Sequence, residues 1–281
     1  MSGTSLSVSI SEIRGATRLA RQDPVAVEEP LEIRLGFEDA GGRVEKSLSV
    51  TMRTPGNDAE LATGFLFTEA IIRSPEDIAL VKACGEPAPD SGNVNVMRVE
   101  LDAGVQVDMD RLQRHFYTTS SCGVCGKTSL QSLRVAGATA RVADGAQFPR
   151  EMLVSLPDKL RAVQQTFEAT GGLHAAAAFN ASGELLAMHE DVGRHNAVDK
   201  VVGTLLGRGL LPAHDLGLLV SGRASFELMQ KTVMAGMPLL AAVGAPSSLA
   251  VELALEFNVT LVGFLRGENF NIYAADERVV G

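Results

Sequence analysis

The chain has 281 residues, 46% hydrophobic and 21% charged, enough apolar material for one large domain or two modest ones without disulfide staples. A formal net charge of −9 excludes a general nucleic-acid binder, which needs a basic surface, although backbone amides at a helix end can still build a local phosphate pocket. An odd count of three cysteines, no apolar leader and no apolar run near the ~18 residues of a membrane span predict a cytoplasmic chain with reduced thiols.

Residues 1–25 are polar and rich in Ser and Thr, with Arg14, Arg18 and Arg21 near their end, and read as a flexible tail or a docking arm. "PLEIRLGFEDAGGRVEKSLSVTMRTPGND" reads as two strands joined by a turn at Gly41–Gly42. The helix predicted over "NDAELATGFLFTEAII" takes Asn57 or Asp58 as its cap, and Leu61, Phe65 and Ile72 belong to its apolar stripe. A strand is expected at "NVNVMRVEL", with Cys84 as an incidental thiol at the edge of the preceding loop. "EMLVSLPDKLRAVQQTFEATGG" reads as a helix with a glycine C-cap that Pro157 breaks or kinks early. "LHAAAAFNASGELLAMHED" is a hairpin turning at "NASG". Helices over "VGRHNAVDKVVGTLLGRG", "SFELMQKTVMAG" and "SSLAVELALEFN" then alternate with strands at "DLGLLVSG", "MPLLAAVG" and "VTLVGFLRG". In "SFELMQKTVMAG" Phe226, Met229 and Val233 form the apolar stripe, and Glu227–Lys231 has the favourable i, i+4 order. This rhythm predicts an α/β fold: a smaller N-terminal α+β region over residues 26–115, then an α/β core over residues 116–281, its sheet flanked by helices.

"TTSSCGVCGKTSL" concentrates the reactive chemistry. Cys122 and Cys125 fall between a predicted strand, "HFYTT", and a predicted helix, "GKTSLQSLRV". The positive end of a helix dipole and Lys127 both favour thiolate, while Gly123 and Gly126 leave the sulfurs uncrowded. Two cysteines merely occupying a tight turn is the plain alternative. Zinc needs three or four ligands, and a nucleobase deaminase uses H-x-E with P-C-x-x-C; here Ser121 replaces the proline and the third ligand and general acid/base are missing. A dithiol oxidoreductase carries its CxxC early in a small βαβ domain rather than some 120 residues in. Sulfur carriage needs one accessible nucleophilic thiolate, which a second cysteine can assist or reset.

In "HEDVGRHNAVDK" the residues suggest that Asp191 caps the following helix and that His195 and Asp199 pair at i, i+4; alternatively Arg194, His195 and Asn196 line a pocket. His174 and His189 fall in predicted strands as core or pocket wall, and His214 reads as a solvated loop residue. "FLRGEN" by itself reads as a strand-end turn.

"TPGNDAELATGFLFTEAII", "CGVCGK", "EDVGRHNAVDK", "SGRASFELMQKTVMAGMPLLAAVGAPSSLAVELA" and "TLVGFLRGENFNIY" occur in this order, and together they closely resemble the FdhD/NarQ family of formate dehydrogenase accessory sulfurtransferases. The resemblance runs from about residue 25 to the C-terminus. It implies a cytosolic protein with a cytidine-deaminase-like core that takes sulfur from a cysteine desulfurase. That sulfur passes to the bis-guanine-dinucleotide form of the molybdenum cofactor before insertion into formate dehydrogenase. Cys122 would carry the persulfide and Cys125 would be auxiliary. Phe264, Leu265, Arg266, Gly267, Glu268 and Asn269 would contact the cofactor, with Arg266 suited to phosphate and Gly267 to close backbone approach. The cofactor is cargo, and no zinc is expected. A guanine nucleotide at each end of that cargo makes a two-fold homodimer a reasonable expectation. The non-enzyme rival is a chaperone that shields the cofactor without moving sulfur.

Overall fold

A computed structural model describes residues 3–39, 41–107 and 146–281. Residues 5–26, expected as a flexible tail, form an antiparallel hairpin of β1 (Ser5–Arg14) and β2 (Thr17–Ala26) with an unbroken register. Behind the polar composition lies an alternation: Leu6, Val8 and Ile10 share one face and Ser5, Ser7, Ser9 and Ser11 the other.

β3 (Glu29–Asp39) and β4 (Gly42–Arg53) form the expected hairpin, and β5 (Ile78–Ala83) and β6 (Val96–Leu101) complete a sheet of order β4-β3-β6-β5. Helix α1 (Asp58–Thr68) follows β4. Neither expected side chain caps it: Asn57 occupies the N-cap in the left-handed region (φ 56°) without a side-chain bond. Asp58 instead receives two hydrogen bonds from the buried Arg53, both of 2.9 Å.

After the short β7 (Phe148–Pro149), helix α2 (Arg150–Val163) continues through Pro157 and breaks at Gln164, where α3 (Gln165–Thr170) begins. Gly171 closes α3 in the left-handed region (φ 66°), as a glycine C-cap should.

The remaining elements are β8 (His174–Phe179), β9 (Leu185–Asp191), α4 (Arg194–Gly207), β10 (Gly217–Val220), α5 (Phe226–Met234), β11 (Leu239–Ala242), α6 (Ser248–Glu256), β12 (Thr260–Arg266), β13 (Asn269–Ala274) and β14 (Val279–Val280). Ser225 and Ser247 cap α5 and α6 by accepting from Leu228 N and Ala250 N. Six of these strands form a mixed sheet of order β13-β12-β11-β10-β8-β9, with β10, β11 and β12 mutually parallel and the others antiparallel to their neighbours.

Both faces of this sheet are covered at its centre, so its inner strands are almost wholly apolar and their side chains sort by parity. Ala176, Leu218, Leu240 and Leu261 join a core shared with α1, α4, α5 and the N-terminal sheet. Ala177, Leu219, Ala241 and Val262 join a second core under α2. Helices α1 and α4 cross at glycines: a Cβ on Gly64 would stand 1.9 Å from Asp199 O, and one on Gly203 would stand 1.9 Å from Glu60 O. That contact locks the N-terminal region onto the main sheet.

Candidate functional site

Parallel strands β10, β11 and β12 end on one edge, the usual location of ligand sites in such sheets. The backbone ladder continues beyond the strands: Gly244 N donates to Gly222 O (2.9 Å) and Phe264 N donates to Gly244 O (3.0 Å). Only glycine fits at 263, where a Cβ would stand 2.9 Å from Pro246 and 3.0 Å from Tyr273. At the next residue the register shifts and Phe264 turns into the left-handed region (φ 56°), a strained conformation for an aromatic residue.

This bend shapes the segment singled out in the sequence. Phe264, Arg266, Gly267 and Asn269 line an open cleft of about 580 Å³ with Phe270 and Asn271. Gly267 makes the turn (φ 54°), and the Arg266 guanidinium lies 5.8 Å from the Phe264 ring centre. Leu265 is buried in the second core, and Glu268 is exposed beside the cleft rather than in its lining. Cys122 and Cys125 lie outside the described residues.

"EDVGRHNAVDK" is arranged differently from its expected pairing. Asp191 does not cap α4; Gly193 holds that position without a side-chain bond. Asp191 is fully buried, with its carboxylate 2.7 Å from Lys200 Nζ. It also accepts from Gly193 N (2.8 Å), Asn196 Nδ2 (3.0 Å) and Thr54 N (3.2 Å). Asn196 Nδ2 donates as well to Met52 O, and Lys200 Nζ to Thr54 O. The motif is therefore the polar weld between β4 and the main sheet.

His195 and Asp199 do not pair either. Lys231 Nζ, from α5, donates to both Asp199 oxygens (2.9 and 3.0 Å), and Thr68 Oγ1 donates to Asp199 Oδ1 (2.8 Å). Burial works to lower the Lys231 pKa, but the charges of Asp199 and Glu69 outweigh it, leaving the ammonium above its ordinary value. Glu227 consequently lacks Lys231 as its i, i+4 partner and faces His195 Nε2 at 3.9 Å, longer than a hydrogen bond. The nearby His195 ring is the main influence holding the Glu227 carboxyl down to about 2. These pairs floor and wall a pocket of about 290 Å³ between β4, α1, α4 and α5, which also includes Asn196.

His174 stands at the start of β8, where burial, then the charge of Arg194, lowers its pKa. His189 is pushed down to about 4, chiefly by burial and then by Lys200. Thr204 Oγ1 donates to Lys200 O, so its contact of 2.7 Å with His189 Nε2 assigns the proton to that ring nitrogen. His214 is exposed in its loop. The sequence reading missed Arg53, Thr54, Lys200 and Lys231 as buried network members.

Among the described residues no group of three or more His, Cys, Asp or Glu could hold a metal ion, and no helix is long and apolar enough to cross a membrane. A mixed α/β chain with a strand-end cleft and a welded N-terminal sheet now invites comparison with known proteins. A solved chain from Desulfotalea psychrophila, described as a formate dehydrogenase accessory protein, superposes with a TM-score of 0.76 at 25% identity, covering 99% of this chain and 100% of that one.

The FdhD/NarQ family profile matches residues 26–280, and the chain belongs to that family. Relatives called sulfur carrier protein FdhD include one from Mycolicibacterium paratuberculosis, 51% identical over 96% of this chain and 97% of its own. Another, from Sulfurisphaera tokodaii, is 43% identical over 97% and 98%.

Proposed function

We propose that the protein is a sulfur carrier that serves formate dehydrogenase maturation through a persulfide on Cys122. The observation that carries this reading is full-length similarity to proteins called sulfur carriers, combined with a CGVCGK motif that needs no missing ligand. The Cys122 thiolate attacks the terminal sulfur of a cysteine desulfurase persulfide; the donor S–S bond breaks and the donor cysteine leaves as thiolate. The Cys122 persulfide then gives its terminal sulfur to the molybdenum of the cofactor: the S–S bond breaks with its electron pair on Cys122 Sγ, which returns to thiolate, and the delivered sulfur becomes sulfido by taking two electrons from a reduced molybdenum centre, with Cys125 assisting.

The acceptor in this reading is the bis-molybdopterin guanine dinucleotide form, bound as substrate along Phe264–Asn269. Arg266 would supply charge-assisted hydrogen bonds to phosphate, and Gly267 would allow close approach. A cytidine-deaminase-like layering is part of the proposal, supported by a hairpin followed by alternating helices and strands on one mixed sheet. So are a cytoplasmic location and a two-fold homodimer presenting equivalent nucleotide sites.

The decisive test is intact-mass measurement after incubation with a cysteine desulfurase and cysteine. A gain of one sulfur is expected in the wild type and in Cys125→Ala, and none in Cys122→Ala. A Cys122→Ala protein that still yields fully active formate dehydrogenase overturns the carrier role. It would leave a cofactor-shielding chaperone, which the cleft at Phe264–Asn269 could serve by itself.

A further inference from the structure

The sulfur-carrier reading gives the N-terminal hairpin no work, and the family profile begins only at residue 26, where β2 ends. The base of the hairpin is tied down: the Thr4 and Thr166 hydroxyls lie 3.0 Å apart, Val27 N donates to Thr4 O (2.9 Å), and β2 packs on α3. From that base two strands of 10 residues run out about 33 Å, and every residue from Ile13 to Gln22 is exposed. A two-stranded ribbon by itself is marginal in water, so its free end gains from being covered.

The chain carries −9 overall, yet residues 12–21 hold three arginines and a single carboxylate, Glu12. Glu12 is shared by Arg14 Nη2 (3.3 Å) and Arg21 Nε (3.4 Å), and Arg21 also reaches Asp23 (2.8 Å). Arg18 has no acidic partner among the described residues. Two large apolar side chains share this tip, Ile13 at 61% exposure and Leu19 at 43%. The register sets them on opposite faces of the ribbon: Ile13 stands across from Arg18, and Leu19 stands across from Glu12. Arg14 and Arg21 share the Leu19 face, so each face carries one apolar side chain and at least one arginine.

A flat protein surface covers one face of a ribbon and leaves the other in water, whereas a medium that the tip enters end-on covers both. Apolar side chains on both faces, ringed by arginine, fit the boundary of an anionic bilayer. The apolar groups enter between headgroups and acyl chains while the guanidinium groups stay at the level of the lipid phosphates. The acidic body does not oppose this, because its field is screened within about 8 Å at physiological salt and the arm is several times longer. We propose that the tip of the β1–β2 hairpin docks the protein on an anionic lipid surface, with Ile13 and Leu19 inserted and Arg14, Arg18 and Arg21 on the headgroups. A tip of this size is a weak, reversible anchor. The inference is independent of the sulfur-carrier reading.

Co-sedimentation of the full chain with vesicles tests this, comparing pure phosphatidylcholine with phosphatidylcholine containing about 30% phosphatidylserine. Binding to the anionic vesicles is expected to be at least about tenfold tighter than to the neutral ones, and to weaken as salt rises to about 0.5 M. Arg18→Ser weakens it about fivefold, and Ile13→Ser combined with Leu19→Ser weakens it at least about tenfold. Leu6→Ser is the control: Leu6 is 48% exposed but sits at the anchored base, so its replacement leaves binding unchanged. No binding to anionic vesicles, equal binding to neutral ones, or a Leu6→Ser loss as large as that of the tip variants overturns the proposal. The Ile13 and Leu19 side chains are exposed, so their replacement keeps Tm; if Tm falls, Arg18→Ser decides, and unchanged binding in that variant overturns the proposal. A double variant that binds vesicles normally but has a smaller mass in analytical ultracentrifugation also overturns it, and makes a second copy of the chain the occupant of the tip.

Discussion

Lys200→Met tests whether the EDVGRHNAVDK segment is a weld. Lys200 is 2% exposed and its partner Asp191 is fully buried, 2.7 Å away. Removing one member of such a pair typically costs about 3–5 kcal/mol, because a buried charge is left uncompensated. Here Asp191 keeps three N–H donors, from Gly193, Asn196 and Thr54, which places the loss near the lower bound, about 3 kcal/mol. With an unfolding entropy of roughly 2.1 cal/mol/K per residue, that is a Tm drop of about 5 °C for a chain of this length. Thermal and urea unfolding followed by circular dichroism measure both quantities. Adding Asp191→Asn removes the stranded charge and is expected to recover at least half of the loss. A single-variant loss below about 1 kcal/mol, or a double variant no more stable than the single, refutes the argument.

Three further outcomes are expected. Gly203→Ala brings a Cβ to 1.9 Å from Glu60 O and forces α1 away from α4, so a loss above about 3 kcal/mol or failure to fold is expected by unfolding titration; normal stability would show that the helices do not cross there. For His189 the folded pKa of about 4 lies below the unfolded value of 6.5. The unfolded chain therefore takes up the proton first, and stability present above pH 6.5 is lost as pH falls towards 4, by at most ~1.4 kcal/mol per pH unit. His189→Gln should flatten that slope in urea titrations between pH 7.5 and 4.5, and an identical slope would assign the loss elsewhere. Finally, Phe264→Gly should be more stable than Phe264→Ala by about 1 kcal/mol, since both lose the ring but only glycine relieves the left-handed backbone; the reverse order in thermal melts removes strain from the description of the cleft.

The inner strands of the main sheet were readable because they are short apolar runs between turns, and its helices because they carry local caps such as Ser225 and Ser247; the exposed edge strand β13 has no such run and was not read. Local rules failed where burial took over. The i, i+4 rule describes exposed helix faces, and it paired His195 with Asp199 and Glu227 with Lys231. Asp199 and Lys231 are instead buried where α4 faces α5, so the ion pair forms between helices, where solvent does not compete. The N-terminal hairpin went unseen for a related reason: serine-rich composition suggested disorder, while the Leu6, Val8, Ile10 alternation carried the strand signal.

The strand-end edge explains why two different clefts open close to one another. Gly222, Gly244 and Gly263 let three consecutive strand exits approach closely enough to extend the parallel ladder beyond the strands themselves. An edge held by main-chain hydrogen bonds is stiff, so it can keep Phe264 in an unfavourable conformation that a loose loop would relax. That conformation turns the chain out of the sheet and presents Arg266 and Gly267 on one side. On the α2 side, the same stiff edge meets a helix that breaks at Gln164 instead of covering it, which exposes Ser221 and Val243 to a second cavity. Both clefts are thus consequences of a rigid β edge that its flanking segments leave uncovered.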